Sequence, residues 1–145
     1  MIQIKVKING IDKLLSFPKT EITNKVTPVT VSFAEEFGKY LGTTSGDMEK
    51  LTSTQLRKFF GEVKRQQMNK YDETDFALLK PKLAYAKARA HVNKKKYQKI
   101  DDFYTVIIAA MDVVLKSSNS EQSFKNFIKI FEAIVAYHKA AEEQK

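Results

Sequence analysis

The stretch IDDFYTVIIAAMDVVLKS, residues 100–117, is apolar around most of its circumference when wound at about 100° per residue. A helix of that kind must be covered on several sides, which predicts a central core element wrapped by other helices. The segment after it, SFKNFIKIFEAIVAYHKAAEEQ, puts Phe124, Phe127, Ile128, Phe131, Ile134 and Val135 on one helical face. Upstream, SFAEEFGKYLG opens on a Ser cap, carries Glu35 and Glu36 in its first turn and stops at Gly42, with Phe33, Phe37, Tyr40 and Leu41 on one side. LTSTQ offers a capping box, Thr52 with Gln55, ahead of a helix whose Leu56, Phe59, Phe60 and Val63 follow the i, i+3, i+4, i+7 spacing. Another helix is expected to begin at or just before Pro81 and run to about Asn93. The polar stretches TTSGDMEK, NKYDETD and SSNSEQ serve as loops, the last with a Ser cap. The fold class is mainly α, one domain of about five helices spanning 32–145.

Residues 1–31 differ. Ile2, Ile4, Val6 and Ile8 alternate with polar residues, the period of a half-buried strand, and Asn9-Gly10 is a turn dipeptide. TPVTVSF places Val29, Val31 and Phe33 on one side of a second extended stretch. The segment reads as an extended N-terminal arm with one or two short strands; a partly ordered lead-in is the other reading. MIQIKVKING lacks the apolar core of a signal peptide, and no run of about 18 apolar residues could span a bilayer, so a non-secreted, cytoplasmic protein is expected.

Chemistry is sparse. The chain has no cysteine, which excludes disulfides, thiol catalysis and cysteine-held metals. Its two histidines, His91 and His138, have no second histidine at metal-binding spacing, and His138 falls on the apolar side of the last helix. Asp101 and Asp102 point about 100° apart on a helix, and dipole and capping roles at its start suit them better than a magnesium site. No catalytic residue, cofactor or metal is expected.

Charge says more. The 145 residues carry a net +8, and thirteen cations against four acids lie between Arg57 and Lys99. A basic region of this kind suits a polyanion. On the helix from Thr52, Arg57 and Lys64 form one flank, with Gly61 and Met68 between them, and Lys58 and Arg65 a second; Gly61 costs up to about 1 kcal/mol relative to alanine, which suits close approach by another backbone or a phosphate and equally a tolerated surface glycine. On the next helix Lys82 and Arg89 share a stripe and Lys87 lies beside Leu83. It has two apolar sides, Leu83, Ala86 and Ala90 on one and Tyr85, Ala88 and Val92 on the other, and their alanines suit a helix sandwiched between neighbours with long cations at its edge. Lys94, Lys95 and Lys96 complement the dipole at its end, and with Lys99 leave surplus charge. Cations spread over two helices fit phosphate contacts without sequence reading, with Tyr71, Tyr97 and Tyr104 as candidates for base stacking. A basic face that docks an acidic protein, and a merely solvated basic face, stay open. A membrane surface fits poorly, because the chain has no Trp and no exposed apolar stripe opposite the cations.

Three stretches carry a family resemblance: LTSTQLRKFFGEV at 51–63, KLAYAKAR at 82–89 and FEAIVAYHK at 131–139. In this order and spacing they resemble the small subunit of type III-A CRISPR effector (Csm) complexes, over residues 50–140 and excluding the arm. The resemblance implies an all-helical, non-catalytic subunit in antiviral defence. Such subunits stack in several copies beside the subunits that hold the guide RNA, and touch the guide and target RNA through phosphates. Arg57 takes the arginine of the first stretch, and Lys87 and Arg89 the basic pair of the second. Lys58, Lys64, Arg65 and Lys82 join them from charge geometry alone. The implied partners are RNA, other effector subunits and further copies of the chain; the extended arm, whose strand character lets it pair with or swap into another copy, leaves monomer or homodimer open for the isolated protein. FEAIVAY is expected to form core and subunit interface.

Overall fold

A computed structural model describes residues 3–8, 10–43, 52–92 and 98–143. The two apolar segments near the C-terminus form α6 (Gln98–Lys116) and α7 (Ser120–Glu143), which share the centre of the molecule. The other helices gather around them: α1 (Thr20–Thr23), α2 (Pro28–Leu41), α3 (Ser53–Met68), α4 (Glu73–Ala77) and α5 (Leu79–Val92). Among the described residues, five long helices and two short ones thus make a mainly α fold, with the N-terminal strands beside it. The core runs unbroken from the strands to α7. Phe59, Phe103 and Phe131 meet with ring centroids 5.5 to 6.2 Å apart and seat α3 on α6 and α7. Burying one such side chain contributes about 1.5–3 kcal/mol.

The alternation at the N-terminus yields a hairpin, β1 (Gln3–Ile8) and β2 (Ile11–Ser16), antiparallel with Ile8 opposite Ile11. Gly10 supplies the positive φ of 79° that so short a turn needs; Asn9 lies outside the described residues. Ile4, Val6 and Leu15 are buried on the face turned to α2.

TPVTVSF is helical, not extended. Thr27 caps α2 by accepting from the Val29 N–H, and Pro28 takes the first helical position. Proline at that position and the cap outweigh the β-branched alternation, so the helix starts ahead of Ser32 and runs across the expected join at residues 31 and 32. NKYDETD is only partly loop, because Asp72 caps α4 through Asp75 N–H at 2.9 Å. Asn119, rather than a serine, takes the capping bond of α7, from Gln122 N–H at 3.2 Å. The capping box of Thr52 and Gln55 forms as expected. The loop TTSGDMEK lies outside the described residues after Thr43.

α2 packs most closely on α7. A Cβ at Gly38 would stand 2.8 Å from the Ile134 carbonyl oxygen, and one at Gly42 would stand 2.6 Å from that of His138. Both glycines are therefore set by backbone approach. Buried polar groups tie the same region together. Asn126 donates to the carbonyls of Ile22 and Asn24 at 2.9 and 3.2 Å. Burial works to raise the pKa of Glu21, but hydrogen bonds from Thr27 and Thr30 outweigh it and hold the carboxyl below its ordinary value.

Candidate nucleic-acid interface

The capping box starts α3 at Ser53, and Leu56, Phe59, Val63 and Gln66 fix which side is buried. That orientation turns Arg57, Lys58 and Arg65 outward and leaves Lys64 half-buried. α5 packs on α6, with Leu83 buried beneath it. The expected sandwich does not form, since Tyr85 is 65% exposed and Ala88 is exposed as well.

Between α3, α5 and the start of α6 lies a groove of about 420 Å³. Its floor includes Phe59, Leu83 and Phe103, and Lys58, Lys82 and Arg89 line it with Glu62. Glu62 is held by Arg65 at 2.5 Å and by Lys82 at 3.4 Å. The Arg65 hydrogen bond keeps its carboxyl below the ordinary range against an opposing effect of partial burial. The groove therefore joins an apolar floor to a cationic rim carrying one internally neutralised acid.

The seven expected site residues do not share one face. Lys58, Lys82 and Arg89 meet at the groove, and Arg65 stands beside it through Glu62. Helical spacing sets Arg57 and Lys64 about 100° around α3 from Lys58 and Arg65, and Lys64 reaches Glu132 of α7 at 3.3 Å. Lys87 lies on the α6 side of α5, 4.5 Å from the centre of the Tyr104 ring. About two turns earlier on that helix, Lys80 pairs with Asp112.

The aromatic candidates rearrange too. Tyr71 packs 4.8 Å from Phe124 and accepts a hydrogen bond from Ser120 at 2.8 Å, which makes it part of the interior. Tyr104 is covered by Lys87, and Tyr97 lies outside the described residues. Tyr85 is the exposed ring instead, with the Arg89 guanidinium 5.8 Å from its centre. Its i, i+4 spacing from Arg89 was the available signal, masked by the small residues around it. Glu62 was legible only as an acid within a basic run.

Lys99 is no surface cation. It is fully buried, donates to the Thr43 carbonyl and lies 4.8 Å from the centre of the Tyr40 ring. Burial pushes its pKa down to about 8. Asp102, expected to serve the helix start, accepts from the Tyr40 hydroxyl at 2.7 Å and links α6 to α2. Burial raises the pKa of both groups. Lys94, Lys95 and Lys96, like the side chain of His91, lie outside the described residues. His138 is buried, as its apolar surroundings implied.

Chemically the surface offers nitrogen donors and positive charge at the edge of an apolar trough. Among the described residues no three His, Cys, Asp or Glu side chains gather as a metal site, and no helix is long and apolar enough to cross a membrane. A family model described as Csm2 Type III-A matches residues 25–144, which takes in every helix named here except α1 and leaves the hairpin outside. No curated protein and no solved structure matches the chain.

Proposed function

The chain belongs to the Csm2 Type III-A family and is thereby a small subunit of a type III-A CRISPR complex; from that premise we propose that it binds the guide and target RNA along the sugar-phosphate backbone, without reading sequence and without catalysing a reaction. The convergence of Lys58, Lys82 and Arg89 on one groove carries this reading. Three long cations from two helices can follow consecutive phosphates, and such contacts position a strand whatever its bases. Tyr85 and Arg89 at the rim add a stacking surface that every base can use. Lys87, Arg57 and Lys64 extend the field to either side rather than joining the groove.

In the cytoplasm the subunit packs against other effector subunits and further copies of itself, and the isolated chain can pair as a homodimer. Phe131 and Ile134 of the FEAIVAY stretch are buried in the core, which leaves its exposed residues, Glu132 and Ala136, for an interface. A second reading is a scaffold whose basic face docks an acidic protein; the apolar floor of Phe59, Leu83 and Phe103 favours it, since a protein side chain would fill it.

Lys58→Glu combined with Arg89→Glu separates the two. Both residues are exposed, so the variant keeps the helical circular dichroism of the parent. Its affinity for random-sequence RNA is expected to fall by at least about tenfold. Unchanged RNA affinity, together with lost binding to the other subunits, would favour the acidic-protein reading.

A further inference from the structure

Gly61 sits in the middle of α3 with a helix-propensity cost and no reason for it inside the fold: a Cβ there would have nothing within 4 Å. On a helix surface the nearest neighbours of residue i are i−4, i−3, i+3 and i+4. For Gly61 these are Arg57, Lys58, Lys64 and Arg65, all four of them cations. The one bare stretch of α3 backbone among the described residues is thus ringed by positive charge.

We propose that Gly61 is the floor of a phosphate seat, the point where an RNA strand crosses α3 in closest approach. The inference rests on the RNA-binding reading and adds the path of the strand, leading from the groove over α3 to the flank that carries Arg57 and Lys64. Glycine admits a phosphate oxygen to the helix surface, where a side chain would hold it off. The backbone N–H groups at mid-helix are already bonded within the helix, so the seat works by charge and by the forked donors of Arg57 and Arg65. Lys64 is braced by Glu132 at 3.3 Å and Arg65 by Glu62 at 2.5 Å. Such exposed pairs are weak enough to be exchanged for a phosphate. Arg57 and Lys58 make no ion pair among the described residues and stand free to reach the ligand.

Gly61→Leu tests this, because it blocks the approach while leaving every charge in place. Full-length chain is titrated against a labelled random-sequence single-stranded RNA at low salt, alongside its thermal unfolding. The variant is expected to unfold at a higher temperature than the parent, since leucine favours helix, yet to bind RNA about tenfold more weakly or worse. Gly61→Ala, the smaller change, gives a smaller loss in the same direction and keeps the test valid should leucine perturb the fold. Parental affinity in both variants, with the parent itself binding RNA, overturns the seat and leaves the RNA-binding reading standing. A parent that does not bind RNA brings down both. Loss of subunit assembly at unchanged RNA affinity also overturns the seat and assigns the bare surface to a packed helix.

Discussion

Gly38 and Gly61 are both mid-helix glycines, and they answer to different masters. At Gly38 the backbone of α7 lies so close that an added Cβ would stand 2.8 Å from the Ile134 carbonyl oxygen; at Gly61 there is only open space. The α2–α7 seam is explained from within, by packing and by buried polar bonds. Among the described residues nothing approaches the outer face of α3 at Gly61. A glycine or a cation therefore carries functional information only after the fold has been asked whether it needs it.

The comparison can be broken most severely at the seam. Gly38→Ala should cost about 3 kcal/mol in urea unfolding, because the neighbours at Ile134 and His138 are backbone and cannot turn aside. A loss below about 0.5 kcal/mol would mean that the helices separate easily and that the contrast with α3 is false.

The cations sharpen the same contrast. Lys99 is buried while Arg57, Lys58 and Lys82 are exposed. Burial lowers the Lys99 pKa from 10.5 to about 8. Between those values the unfolded chain holds a proton that the native one has released, so stability rises with pH across that window. The rise from this group should be on the order of 3 kcal/mol, and Lys99→Met should flatten it in unfolding measured at several pH values. An equal rise in the variant would return Lys99 to the ordinary surface lysines. The smallest effect belongs to Gly61→Ala, expected to stabilise the protein by up to about 1 kcal/mol. Destabilisation there would show that the fold needs this glycine after all.

Much of the architecture was legible in the sequence. The spacing of Phe59 and Val63, of Phe124, Phe127 and Phe131, and the Thr52–Gln55 box identified long helices because burial and capping are periodic or local. The first strand was legible from alternation through Val6, but its partner β2 was not, because Ile11–Ser16 shows no clean alternation and pairs only once the turn at Gly10 brings it alongside. The strand expected at Val29 and Val31 failed because one proline at a helix start outranks a short β-branched alternation. Three features were out of reach for a common reason, that they depend on which elements meet. Lys99 looks like its neighbours Lys94, Lys95 and Lys96 until α2 closes over it. The groove exists only once α3 and α5 both lie against α6, an arrangement that sends Lys87 toward Tyr104 and leaves Arg57 outside the groove that Arg89 lines. Tyr85 was placed on an apolar side because nothing local reveals that α5 leaves it exposed.

On the proposed function, exposed cations of α3 and α5 hold RNA by its phosphates. Its most direct test is the salt dependence of RNA affinity for the parent and for Lys58→Glu with Arg89→Glu, using several unrelated sequences. Phosphate binding gives one shared line for all sequences on a log–log plot, falling by about 0.7 per contact, and a slope shallower by about 1.4 in the variant. Affinity that follows the sequence, or a slope that the two substitutions leave unchanged, would contradict it.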